Sequence, residues 1–155
     1  MKLSTKARYG LRAAAELALR ASAGNGSALP VPLAAIAKRQ GIPEQYLRQI
    51  FVSLKRARLV KAVRGTRGGY LLGREPEDIS ALDVVGAMGE EMAPVFCVRK
   101  PSACRRVSEC PTHPLWCKLA DAMREALSTT TVAQLAEMCP RRGRLALPRG
   151  HMFAI

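Results

Sequence analysis

Residues 32–51, PLAAIAKRQGIPEQYLRQIF, and the run that follows at 59–73, LVKAVRGTRGGYLLG, decide how this chain folds. Pro32 suits the opening of a short helix through about Gln40, because its missing N–H falls where a helix start has no acceptor for one. Gly41 ends that helix, and Pro43 opens the next. There Leu47, Ile50, Phe51 and Leu54 fall at i, i+3, i+4 and i+7, the spacing of one buried face. The other faces carry Glu44, Gln45, Arg48, Gln49, Ser53, Lys55 and Arg56. Two short helices joined by a tight turn make a helix-turn-helix, whose second helix presents its first residues to base edges. Gln45, Arg48 and Gln49 suit that work, since arginine pairs with guanine through two hydrogen bonds and glutamine with adenine. Taken alone, the same residues read equally well as a solvated face.

The following run shifts the balance. Leu59 to Val63 form one strand, Gly65, Gly68 and Gly69 permit a tight reversal, and Tyr70 to Leu72 return. A basic hairpin directly after a helix-turn-helix is a wing. Arg64 and Arg67 at its tip are placed for phosphates or a narrow minor groove.

Charge agrees with a polyanionic partner. The chain of 155 residues carries a formal charge of +13, and its sequence pI is about 10.3. Residues 1–75 hold fifteen Lys or Arg against three acids, 76–138 hold six against nine, and the remainder holds four against none. A merely solubilising charge has no reason to gather in one half. Upstream, from Ser4 to Ser22, the residues Ala7, Leu11, Ala14, Ala15 and Ala18 keep helical spacing. Arg8, Arg12, Glu16 and Arg20 recur every fourth residue and read as a charged face. The segment GNGSALPVP reads as a loop.

Downstream, Ile79, Leu82, Val84, Val85 and Met88 suggest a further helix with Asp78 or Ser80 near its start. Then come Cys97, Cys104, Cys110 and His113, in C-x6-C-x5-C-x2-H spacing interrupted by Pro101 and Pro111. Three thiols and an imidazole are a donor set for one soft metal centre, either iron–sulfur or zinc. Zinc sites usually group their ligands as two close pairs, unlike this even spacing. Cys117 and Cys139 read as packing residues, and His151 has no role. Beyond the loop Leu115, Leu119, Ala122, Met123, Ala126 and Leu127 make an apolar stripe with Trp116 beside it. One long helix has little to cover it within its own chain, so a partner subunit is its expected burial site. A helix from Thr131 to Met138 is expected to brace it, and the tail from Pro140 reads as flexible and basic.

The expected organisation is a winged helix-turn-helix domain at 1–90, a cysteine loop at 91–112, a dimerisation and a bracing helix at 113–139, and a tail at 140–155. The fold class is mainly α with a small β-wing. A start MKLSTKARYG, with no apolar h-region, and the lack of any run of about 20 apolar residues point to a cytoplasmic protein without a membrane span. In that reducing setting five cysteines make a poor disulfide framework. Catalysis is not expected: GTRGGY lacks the P-loop lysine, and no cysteine–histidine pair with an orienting acid can be read. No small-molecule substrate is implied.

The combination MKLSTKARYGLRA, PLAAIAKRQGIPEQYLRQIF, VRGTRGGYLLG, the cysteine loop, THPLWCKL and TTTVAQLAE, across about residues 2–138, resembles the IscR and NsrR type of winged-helix transcriptional regulators. The resemblance implies a homodimer on a partly palindromic double-stranded DNA operator. It also implies an iron–sulfur cluster beside the dimerisation helix that adjusts DNA affinity. Cys97, Cys104 and Cys110 match the cysteine ligands, and His113 matches the histidine ligand of the IscR branch. That set favours a 2Fe–2S cluster, with 4Fe–4S the other form it accommodates. Branches that take a fourth ligand from the N-terminal helix use an acid where this chain has Arg8 and Arg12, and a guanidinium cannot ligate. The IscR motif YLEQ is YLRQ here, so Arg48 replaces a carboxylate and DNA affinity is expected to depend less on the cluster. Lys6, Arg8, Arg12, Gln45, Arg48, Gln49, Lys55, Arg56, Arg64 and Arg67 are the expected DNA-contacting residues. The competing reading is a thiol- or zinc-dependent winged-helix repressor without a cluster.

Overall fold

The computed structural model describes residues 3–22 and 29–138. Cys139 and the tail, together with residues 24–28 of the expected loop, lie outside the described residues. The elements are α1 (Thr5–Ser22), α2 (Leu33–Gln40), α3 (Glu44–Arg56), β1 (Val60–Val63), β2 (Gly69–Leu72), α4 (Ala81–Ala87), α5 (Phe96–Arg99), α6 (His113–Thr129) and α7 (Val132–Glu137). Short 3-10 turns sit at Pro76–Asp78 and Pro101–Ala103. The mainly helical class with a two-stranded wing stands.

Local chemistry sets the element ends. Ser4 caps α1 by accepting the Ala7 amide at 3.1 Å. Gly41 takes the left-handed conformation, φ 62, that closes α2 and turns the chain into α3. Leu47, Ile50, Phe51 and Leu54 are all buried, as their spacing requires, in a core shared with Ile36, Val84 and Val85. In the wing, Val60 pairs with Leu72 and Val63 with Gly69 in antiparallel register. Gly69 cannot carry a side chain, because a Cβ there would lie 2.4 Å from the Val31 carbonyl oxygen. That close approach exists because Val31 exchanges two backbone hydrogen bonds with Tyr70, at 3.0 and 2.9 Å. The segment expected as plain loop thus adds a single β-bridge that ties the wing to the start of α2.

Two further differences have physical causes. Glu16 is not on the solvated face of α1: its side chain is 1% exposed. It accepts Arg20 Nε at 3.1 Å, Arg39 Nε at 3.1 Å and Gln40 Nε2 at 3.0 Å. A buried carboxylate persists when several donors satisfy it, and here two of them come from the end of α2. The second difference concerns α7, whose main packing partner is α1 rather than α6. Thr131 and Gln134 form a capping box, and Val132 donates to the Ile79 carbonyl at 2.8 Å. Val132 and Ala136 therefore enter the core built from residues before position 90, and α7 braces that core instead of the long helix.

Candidate nucleic-acid interface and cysteine loop

Burying one face of α3 leaves the opposite face open. Gln45, Arg48, Gln49, Lys55 and Arg56 are all exposed there, joined by Val52 at 52%. Val52 was not among the residues singled out from sequence; the signal was present, because position 52 lies one turn from both Gln49 and Arg56. An apolar group on such a face is a contact for a thymine methyl. Arg64 and Arg67 are exposed at the wing tip, where Gly68 donates to the Gly65 carbonyl at 2.9 Å and Gly65 has φ 120. Arg48 is not a lone cation: its Nη2 binds Glu44 Oε1, one turn earlier.

The arginines of α1 are engaged within the chain. Arg12, although exposed, donates from Nε to Gln40 Oε1 at 3.1 Å and from Nη2 to the Gln40 carbonyl, and lies 5.4 Å over the Tyr9 ring. It neutralises the C-terminal end of α2, where carbonyls lack partners. Arg8 donates to Thr5 Oγ1 at 3.0 Å, and Lys6 is half-buried.

The cysteine loop is built from short pieces. Cys97 lies in α5, Cys104 ends the Pro101–Ala103 turn, and Cys110 precedes α6. Cys97, Cys104, Cys110 and Cys117 are free thiols, each partly exposed. Among the described residues no group of three or more His, Cys, Asp or Glu side chains is arranged to hold a metal ion. His113 has both ring nitrogens 3.8 Å from Cys117 Sγ, one turn along α6. Its backbone amide donates to the Cys110 carbonyl at 3.3 Å, which fastens the loop to the helix start.

The Cys110 thiol lies within hydrogen-bond reach of a neighbouring hydroxyl. The Thr112 hydroxyl, 3.3 Å away, holds the thiol below its ordinary range, aided by the Thr112 and His113 backbone and by Arg106. In metal-free protein, Cys110 is expected to alkylate at lower pH than an ordinary thiol, since the thiolate is the nucleophile. Thr112→Val should move its pH profile upward. Peptide mapping after limited iodoacetamide treatment checks this, and an unchanged profile in Thr112→Val contradicts it.

The apolar stripe of α6 divides into two faces. Ala120 is buried, and Trp116, Met123 and Leu127 are half-buried, on the side that includes the packing against α4. Leu115, Leu119, Ala122 and Ala126 face outward, with Leu115 57% and Leu119 39% exposed.

A helix-turn-helix, a wing, a cysteine loop and a long helix in this order match one family model across residues 3–138, the Rrf2 model, described as an iron-dependent transcriptional regulator. The chain belongs to the Rrf2 family. It is 39% identical over 144 residues to protein rrf2 of Nitratidesulfovibrio vulgaris, covering 91% of this chain and 93% of that one. It is also 39% identical over 135 residues to the HTH-type transcriptional regulator IscR of Escherichia coli, covering 87% and 80% respectively. Among solved structures it is similar to CymR, the global cysteine regulator of B. subtilis, with a TM-score of 0.72 and 36% identity over 89% of this chain and 98% of that one. T. potens IscR gives a TM-score of 0.69 and 34% identity, with 93% of each chain covered. The chain is thus an Rrf2-type winged-helix transcriptional regulator. No helix among the described residues is long and apolar enough to cross a membrane.

Proposed function

We propose that this chain binds a two-fold symmetric DNA operator as a homodimer and that its affinity responds to an iron–sulfur cluster held by Cys97, Cys104 and Cys110, with His113 as fourth ligand. The observation that carries this reading is the position of the thiols: partly exposed, on short elements, with Cys110 joined to the start of α6 by the Cys110–His113 hydrogen bond. Three thiols and one imidazole suit a cluster chemically, and a histidine in place of a thiolate raises its potential. When bound, the cluster supplies a centre that responds to iron and redox state.

The rest of the mechanism belongs to the chain. The loop fixes where α6 starts, α6 rests on α4, and α4 contacts both α1 and α3. A loop held in one conformation thereby sets the outward stripe of α6, and with it the spacing of two α3 helices on DNA. Gln45, Arg48 and Gln49 read bases, while Lys55, Arg56, Arg64 and Arg67 neutralise phosphates. Arg12, occupied in joining α1 to α2, supports the reading head rather than adding a contact.

The DNA half is tested by salt. With that many phosphate contacts in a dimer, affinity is expected to fall about 1000-fold or more between roughly 50 and 200 mM salt. Arg64→Ala and Arg67→Ala should each lower the slope of log K against log salt by about one for every phosphate left without its cation. Titration of a labelled duplex by anisotropy reads both, and a salt-independent affinity contradicts the assignment.

A second reading has its own observation. The His113–Cys117 contact pairs an imidazole with a thiol outside the loop, and a solved relative is the oxidised form of Staphylococcus aureus CymR. On that reading the thiols themselves are the sensor, and the purified protein carries no iron.

A further inference from the structure

Glu44 opens α3, and the Arg48 guanidinium is hydrogen-bonded to it one turn on. Both side chains are open to water, Arg48 at 67% and Glu44 at 39%, so the pair contributes little to stability. Among the described residues Lys55 and Arg56, the other cations of α3, have no ion-pair partner. A carboxylate in the first turn of a helix presented to DNA also repels phosphate. Its placement beside the first arginine of the reading face therefore sets a charge that favours the helix start against one that disfavours phosphate.

We propose that Glu44 is a positioning residue for Arg48, fixing its guanidinium for two-point recognition of a guanine in the operator. Arginine carries five N–H donors in a planar fork, and guanine presents N7 and O6 side by side in the major groove. Glu44 engages one donor on Nη2 and leaves the others for the base. Holding a long side chain in one rotamer before binding removes an ordering cost that each encounter would otherwise carry. The Glu-to-Arg order at i, i+4 is the favourable one, and Glu44 at the helix start is held by the positive end of the helix dipole.

The proposal rests on the reading of α3 as the base-contacting helix. The test compares full-length wild type with Glu44→Ala, Glu44→Gln, Arg48→Ala and the Glu44→Ala/Arg48→Ala double variant. Affinities are measured for a duplex enriched by wild type from a random library and for a random-sequence duplex of equal length. Glu44→Ala should lower the ratio of specific to non-specific affinity about 2-fold, the scale of one exposed i, i+4 pair, while non-specific affinity rises. Glu44→Gln, which keeps an acceptor at the same place, should retain most of the ratio. The double variant should match Arg48→Ala alone, because the two residues act as one unit. If Glu44→Ala instead raises specific and non-specific affinity together, the carboxylate is only a repulsive charge and the proposal is overturned. An Arg48→Ala ratio equal to wild type overturns both the proposal and the base-contacting reading of α3. A fall in Arg48→Ala with none in Glu44→Ala overturns the proposal alone. Thermal melts confirm that the exposed substitutions leave the fold intact.

Discussion

Leu119→Asp is expected to convert the dimer to monomers and to weaken operator binding about 100-fold or more, with little change in monomer stability. Leu119 lies on the outward stripe of α6 with Leu115, Ala122 and Ala126, and it is 39% exposed in the single chain. Because it supports no core contact there, a charge costs the isolated fold little. Across a two-fold interface the exposed part of the same residue is buried twice, a share of the about 1.5–3 kcal/mol that full burial gives a leucine, and an aspartate pair must be desolvated as well. A monomer reaches one half-site and forgoes the linked second half-site, whose gain is commonly about 100- to 10,000-fold. Light scattering on a sizing column and anisotropy on the operator check the two halves of this prediction. A Leu119→Asp protein that stays dimeric and binds as wild type contradicts the role given to α6.

Cys104→Ala is expected to lose iron and sulfide together. Replacing a residue that merely supports a metal ligand commonly costs about 10- to 100-fold in affinity, and removing a thiolate ligand costs more. Cys110→Ala should behave the same way, and Cys117→Ala should leave iron content unchanged. His113→Ala bears on the fourth ligand, because the His113 ring also lies beside Cys117. A shifted charge-transfer spectrum in His113→Ala, with cysteine-bound iron retained, is the result that fits.

What could be read from the chain follows the range of the forces involved. The helix-turn-helix was legible because Pro32, Gly41 and Pro43 punctuate it locally and Leu47 to Leu54 repeat with helical period. The wing was legible because its glycines leave few alternatives to a tight reversal. Glu16 was misread for a physical reason. Its spacing matches that of Arg8, Arg12 and Arg20, and only the arrival of Arg39 and Gln40 from another helix makes burial of a carboxylate tolerable. Val31 was hidden likewise, since its partner Tyr70 lies in a distant hairpin. The α6 stripe was found, but its division into an inner and an outer face depends on where α4 lies. For the cysteine loop, sequence supplied the donor residues, while the His113–Cys117 contact arises from one turn of helix beyond the motif.

The central claim, that the loop thiols hold a cluster that adjusts DNA binding, is tested most directly on one anaerobic preparation. Iron and acid-labile sulfide are counted, operator affinity is measured, the iron is removed with a chelator, and affinity is measured again beside Cys104→Ala. Wild type is expected to carry iron and sulfide and to change affinity on removal, and Cys104→Ala to start at the metal-free value and not respond. Wild type purified without iron or sulfide, or an affinity unaltered by removal, would contradict it.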